Sequence, residues 1–79
     1  MSRLKDLRKS KGFTQVKMQM LTGIDQSDYS KIENEKRYYT FEQCRKIAIA
    51  LNTSMDYLAG LTDDPKPYKR KWLYDISVS

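Results

Sequence analysis

The residues able to do chemistry crowd into one stretch, TGIDQSDYSKIENEKR, running from Thr22 to Arg37. Within it Gln26, Ser27, Asp28, Ser30, Lys31 and Asn34 offer amide, hydroxyl, carboxylate and ammonium groups, the set that makes directional hydrogen bonds to a polar partner. Covalent chemistry has no comparable foothold. The chain contains no histidine and a single cysteine, Cys44. Zinc sites and histidine-dependent acid–base or nucleophilic machinery are therefore excluded, no metal or cofactor is expected, and the inventory argues against an enzyme.

With 79 residues, 39% of them hydrophobic and only 3 glycines and 2 prolines, the chain reads as one small all-α domain. A lone cysteine forms no internal disulfide. No apolar run approaches the ~18 residues that would span a bilayer, and the basic amino end has no hydrophobic stretch behind it. These features lead us to expect a cytoplasmic protein with no membrane partner.

The net charge is +5, but its placement matters more than its sum. Arg3, Lys5, Arg8, Lys9 and Lys11 face only Asp6 in the first twelve residues; from Phe13 to Leu61 six bases balance six acids; Lys66, Lys69, Arg70 and Lys71 outnumber Asp63, Asp64 and Asp75 in the tail. Basic ends around a balanced middle suggest a polyanionic partner that is read rather than merely attracted.

Five helices have to position the polar stretch. Leu4 and Leu7 mark a first helix from about Ser2 to Lys11, stopped by Gly12. Thr14 caps a second, Gln15 to about Thr22, closed by Gly23. Asp25 caps a third, Gln26 to Asn34, in which Tyr29 and Ile32 join Ile24 on the core side and the small polar residues face away. Thr40 and Gln43 form a capping box for a fourth, with Phe41, Cys44, Ile47, Ala48 and Leu51 as its apolar repeat. Thr53 or Ser54 caps a short fifth helix, Met55 to Ala59. Beyond it Trp72, Tyr74, Ile76 and Val78 alternate with a strand-like period.

A helix, a tight glycine turn and a helix with one small polar face is the arrangement that enters the DNA major groove. From LRKSKGFTQ through TGIDQSDYSKIENEKR to ALNTSMDYLAGLTDD, roughly residues 3 to 64, the chain resembles the phage-repressor/Cro-type (XRE-like) helix-turn-helix family. That resemblance implies a five-helix bundle in residues 1–64 with helices 2 and 3 as the reading unit, and leaves 65–79 as a separate tail. It further implies that Gln15 holds a phosphate and braces Gln26, that Gln26, Ser27 and Lys31 meet base edges, and that Arg8 and Glu33 form a structural salt bridge.

The chemistry of those positions agrees: glutamine pairs bidentately with adenine, lysine with guanine, and serine with either. Ser30, Asn34, Lys36 and Arg37 suit phosphates. Asp28 has two readings, an acceptor for the amino group of cytosine or a first-turn residue stabilised by the helix dipole. Tyr38 and Tyr39 could bond phosphates or cover the edge of the core.

Three departures from the family pattern stand out. Glu35 occupies the position after EN where a left-handed glycine is usual. In helix 2, Met20 and Leu21 would be exposed unless the helix rotates to bury them, and rotation is the expectation. Finally, Trp72, Tyr74, Ile76 and Val78 are expected to help a two-fold homodimer form, which would suit an inverted repeat in duplex DNA. The leading function is therefore sequence-specific double-stranded DNA binding by a transcriptional regulator, a repressor in particular. The alternative is an antitoxin-type protein whose main partner is another protein, and a third reading is non-specific binding through the basic ends. So small a bundle is expected to hold no sizeable pocket.

Overall fold

The architecture comes from a computed structural model that describes residues 2–68. Trp72, Tyr74, Ile76 and Val78, the residues expected to pair two copies, lie outside the described residues. Five helices follow in order: α1 Arg3–Ser10, α2 Gln15–Thr22, α3 Gln26–Glu33, α4 Phe41–Ala50 and α5 Met55–Ala59. No strand occurs among the described residues. The all-α bundle is the fold expected from the sequence.

Each helix starts where a side-chain oxygen is available for the orphan amides of its first turn. Ser2 accepts from Lys5 N at 3.2 Å, Thr14 from Lys17 N at 3.0 Å, Asp25 from Ser27 N at 3.0 Å and Ser54 from Tyr57 N at 3.0 Å. Thr40 and Gln43 complete the capping box of α4 reciprocally. Such caps contribute about 1 kcal/mol each, a large share of the stability of a chain this short. Thr53, the other candidate cap for α5, turns instead to the carbonyl of Pro65 at 2.6 Å.

Four helices end alike, with a left-handed residue followed by an amide that reaches back five positions: Phe13 N to Arg8 O, Lys36 N to Lys31 O, Thr53 N to Ala48 O and Leu61 N to Asp56 O. The left-handed residues are Gly12, Glu35, Asn52 and Gly60. Glu35, at φ 60°, adopts the backbone that its side chain disfavours, because the hydrogen bonds of the helix end require it. Left-handed geometry costs a non-glycine residue about 1–2 kcal/mol, part of which glycine returns as unfolded-chain entropy. Glu35→Gly should therefore stabilise the domain by about 0.5–1 kcal/mol, read as a rise in the urea midpoint at constant m-value.

The core gathers around Met18, Tyr29, Ile47 and Leu51, with Leu4, Ile24, Ile32, Cys44, Ala48 and Leu58 completing it. Helix α2 packs on α3 and α4, while α5 joins α4 to α1. Two sequence expectations are overturned here. Phe41 stands 73% exposed rather than in the core, since position N1 of α4 projects past the bundle. Rotation of α2 does not occur: Met20 is 75% and Leu21 47% exposed, because Met18 and Thr22, one turn apart, already fill the inward face.

A buried phenol, Tyr29, and a half-buried one, Tyr39, make the fold sensitive to alkali. Burial, with the carboxylate of Glu33 nearby, pushes Tyr29 well above the ordinary 10, and its hydroxyl has no hydrogen-bond partner among the described residues. Tyr39, packed against the core beside Cys44, is pushed up to about 12, chiefly by burial. Both groups are neutral in the folded chain and ionise near 10 when unfolded, so their stabilisation is present below pH 10 and lost as pH rises from there toward 12. Circular dichroism and tyrosinate absorbance should move together across that window, and Tyr39→Phe should delay the change to higher pH.

Candidate nucleic-acid interface

The turn between α2 and α3 is only Gly23, Ile24 and Asp25, and each residue has a task. Gly23 takes φ 71°, Ile24 is buried, and Asp25 caps α3. Thr22 adds a brace that the sequence reading passed over: its hydroxyl donates to Met18 O at 2.7 Å and accepts from Ile24 N at 3.2 Å. A threonine at the last position of a helix, just before glycine, was the available signal, since its hydroxyl can bond the backbone in both directions.

Tyr29 and Ile32 anchor α3 from below, which leaves its other side to solvent. There Asp25, Gln26, Ser27, Ser30, Lys31, Asn34 and Lys36 line one shallow depression of about 560 Å³. Gln26, Ser27 and Lys31, three of the four residues expected to meet bases, thus share a surface with Ser30, Asn34 and Lys36, expected to meet phosphates, whereas Asp28 does not line it. Within it Asn34 donates to Ser30 Oγ at 3.3 Å. The brace expected between Gln15 and Gln26 is not formed: among the described residues no hydrogen bond joins them. Gln15 is half-buried at the start of α2 and Gln26 is exposed, a setting in which water competes for both amides.

The orientation of α3 is set from behind by Arg8 and Glu33. Arg8 Nε lies 3.0 and 3.1 Å from the two carboxylate oxygens of Glu33, and a terminal nitrogen lies 2.6 Å from Oε1. The other terminal nitrogen donates to Phe13 O at 2.7 Å. Glu33 is 1% exposed. This bidentate pair ties the end of α1 to the end of α3, and the hydrogen bonds that Arg8 donates to Glu33 raise the Arg8 pKa further above its ordinary value, so the guanidinium stays charged.

Charge elsewhere is more committed than the sequence suggested. Arg3, counted among the bases that attract a polyanion, instead lies over the Tyr57 ring at 4.6 Å, bonds the carbonyls of Tyr57 and Thr62, and pairs with Asp63 at 2.6 Å. Arg37, expected on phosphates, pairs with Asp28, expected at base edges, at 2.8 Å. Of the two tyrosines, Tyr39 packs on the core, while Tyr38 stands 94% exposed. Contrary to the expectation of no sizeable pocket, an open groove of about 620 Å³ lies between α1, α5 and the exit of α3, floored by Leu4, Ile32 and Leu58.

Two capped helices at a three-residue turn, with the second held from behind and polar in front, define a helix-turn-helix DNA-binding domain. The family model for a helix-turn-helix domain matches residues 1–63, and the chain belongs to this XRE-type helix-turn-helix family. Over 65 residues it is 35% identical to the uncharacterized HTH-type transcriptional regulator YobD of Bacillus subtilis (strain 168). That similarity takes in 82% of this chain and 58% of YobD, so the chain spans less than two thirds of the relative's length. No solved structure gives a significant match. Among the described residues no helix is long and apolar enough to cross a membrane.

Proposed function

We propose that this chain is a transcriptional regulator, acting as a repressor, that binds duplex DNA by seating α3 in the major groove. The observation that carries the reading is the exposed depression that Gln26, Ser27, Lys31 and their polar neighbours line together on a helix fixed from behind. Gln26, Ser27 and Lys31 take the base edges, with glutamine suited to adenine and lysine to guanine. Gln15, Ser30, Asn34 and Lys36 take phosphates, and the exposed hydroxyl of Tyr38 is in character with the same role.

Residues 1–64 form the reading domain in this proposal, and 65–79 a tail through which Trp72, Tyr74, Ile76 and Val78 pair two copies on an inverted repeat in the cytoplasm. A single α3 reads only a few base pairs, which favours doubling. A second reading, attachment of an antitoxin-type partner protein, draws support from Val16 and Met20, exposed one turn apart on α2 beside Leu21.

The test is selection from a randomised duplex pool at about 0.15 M salt, where screening suppresses long-range attraction. An enriched inverted repeat supports the dimeric reader. A pool with no enriched sequence overturns it, and co-purification of a protein bound at α2 would then support the second reading.

A further inference from the structure

We infer that Asp28 is a specificity-determining positioning residue that acts through Arg37: it holds this guanidinium off the phosphates of unselected DNA and across to the start of α4. The inference rests on the reading of α3 as the groove-seated helix. Three acceptors from three segments surround the guanidinium. Asp28 Oδ1 is 2.8 Å from one terminal nitrogen, Gln43 Oε1 is 3.4 Å from the other, and Nε donates to the Tyr38 carbonyl at 3.3 Å. Gln43 Oε1 also accepts from Thr40 N at 3.0 Å, so one network joins the first turn of α3, the exit loop and the N-cap of α4.

An isolated surface ion pair would yield readily to a phosphate. Here the side chains of Arg37 and Asp28 are only 34% and 41% exposed. A phosphate offers the guanidinium the same charge and forked acceptor geometry as the carboxylate already in place. To reach it, Arg37 gives up Gln43 and the Tyr38 carbonyl as well, which leaves it a poor ligand for an arbitrary duplex.

Removing the carboxylate reverses this. A released Arg37 adds one phosphate contact to any duplex and so tightens binding to random DNA. At the selected sequence the same gain is offset, because the tie holding the first turn of α3 to α4 is lost, and Gln26 and Ser27 sit in that turn. Discrimination between the two duplexes falls.

The experiment compares wild type, Asp28→Asn, Arg37→Gln and the double variant by fluorescence anisotropy, against the selected duplex and a random duplex of equal length, across a salt series. One added phosphate contact should steepen the salt slope of Asp28→Asn on random DNA by about 0.9, equivalent to about fivefold tighter binding at 0.15 M salt. Its affinity for the selected duplex should change by less than about twofold, so the ratio of the two falls several-fold. The double variant should bind random DNA as Arg37→Gln does, since the effect passes through that side chain.

Unchanged random-DNA affinity in Asp28→Asn overturns the inference. So does an equal gain on the Arg37→Gln background, which would mark Asp28 as a general negative charge, and so does loss of selected binding alone, which would mark it as a base contact. Melting curves confirm that each variant is folded. A wild-type chain without any preferred duplex would defeat the proposed function itself, whereas a discriminating wild type matched by Asp28→Asn would defeat only the role given to this residue.

Discussion

Glu33→Gln should lower the stability of the domain by about 3–5 kcal/mol, the cost of breaking a buried ion pair from one side. A chain of 79 residues has only about 4–12 kcal/mol in total, so the variant should be partly unfolded at 37 °C. At roughly 4–8 °C per kcal/mol the melting temperature should fall by at least about 12 °C. The magnitude follows from burial. Glu33 is 1% exposed and accepts three hydrogen bonds from Arg8, which a neutral amide cannot balance against a charged guanidinium. Arg8→Met should cost a similar amount, because it leaves Glu33 charged in the core and Phe13 O without its donor. The double variant Arg8→Met with Glu33→Leu should recover most of the loss, since apolar residues of similar volume often replace such pairs at little cost. A drop below about 1 kcal/mol in either single variant would show that the pair is solvated and does not hold α3.

Gln26→Ala and Lys31→Ala should each weaken binding to the selected duplex by about 1–3 kcal/mol, roughly 5- to 150-fold, and relax the preference at the base each one reads. Both residues are exposed, so melting temperatures should hold, as substitutions away from packed features usually stay within about 0.5 kcal/mol. Lys36→Ala offers the contrast of a phosphate ligand: selected and random duplexes should weaken together and the salt slope should fall by about 1. Anisotropy titrations on the two duplexes separate these outcomes. Uniform weakening by Gln26→Ala would remove it from the base edges.

The aspartates on α3 illustrate how a short polar helix carries acid without losing a polyanion. Asp25 works on the helix's own amides and Asp28 on Arg37. Neither needs to face DNA as an uncompensated charge. What remains outermost is amide, hydroxyl and ammonium, with Lys31 and Lys36 at the rim of the depression. Such a face binds by directional pairing more than by bulk attraction, in keeping with the balanced charge between Phe13 and Leu61.

The sequence by itself determined the five helices, the caps of α2, α3 and α4 and the polar face of α3, because these depend on interactions within a few residues: an oxygen two or three positions before an amide, a glycine where the chain turns left-handed, an apolar residue every third or fourth place. Glu35 was legible only through the resemblance, as a departure that could alter the exit loop, and the structure keeps the left-handed turn there. Tertiary structure decided what depends on distant segments meeting. Arg3 is taken by the loop after α5, and Arg37 by Asp28 and Gln43. Met20 stays outside because Met18 and Thr22 already fill the inward face of α2. A long cationic side chain reaches several partners on neighbouring elements, and only the packed arrangement selects among them. The spacing of residues therefore specified which groups could recognise DNA, while the fold specified which of their charges stayed available to do so.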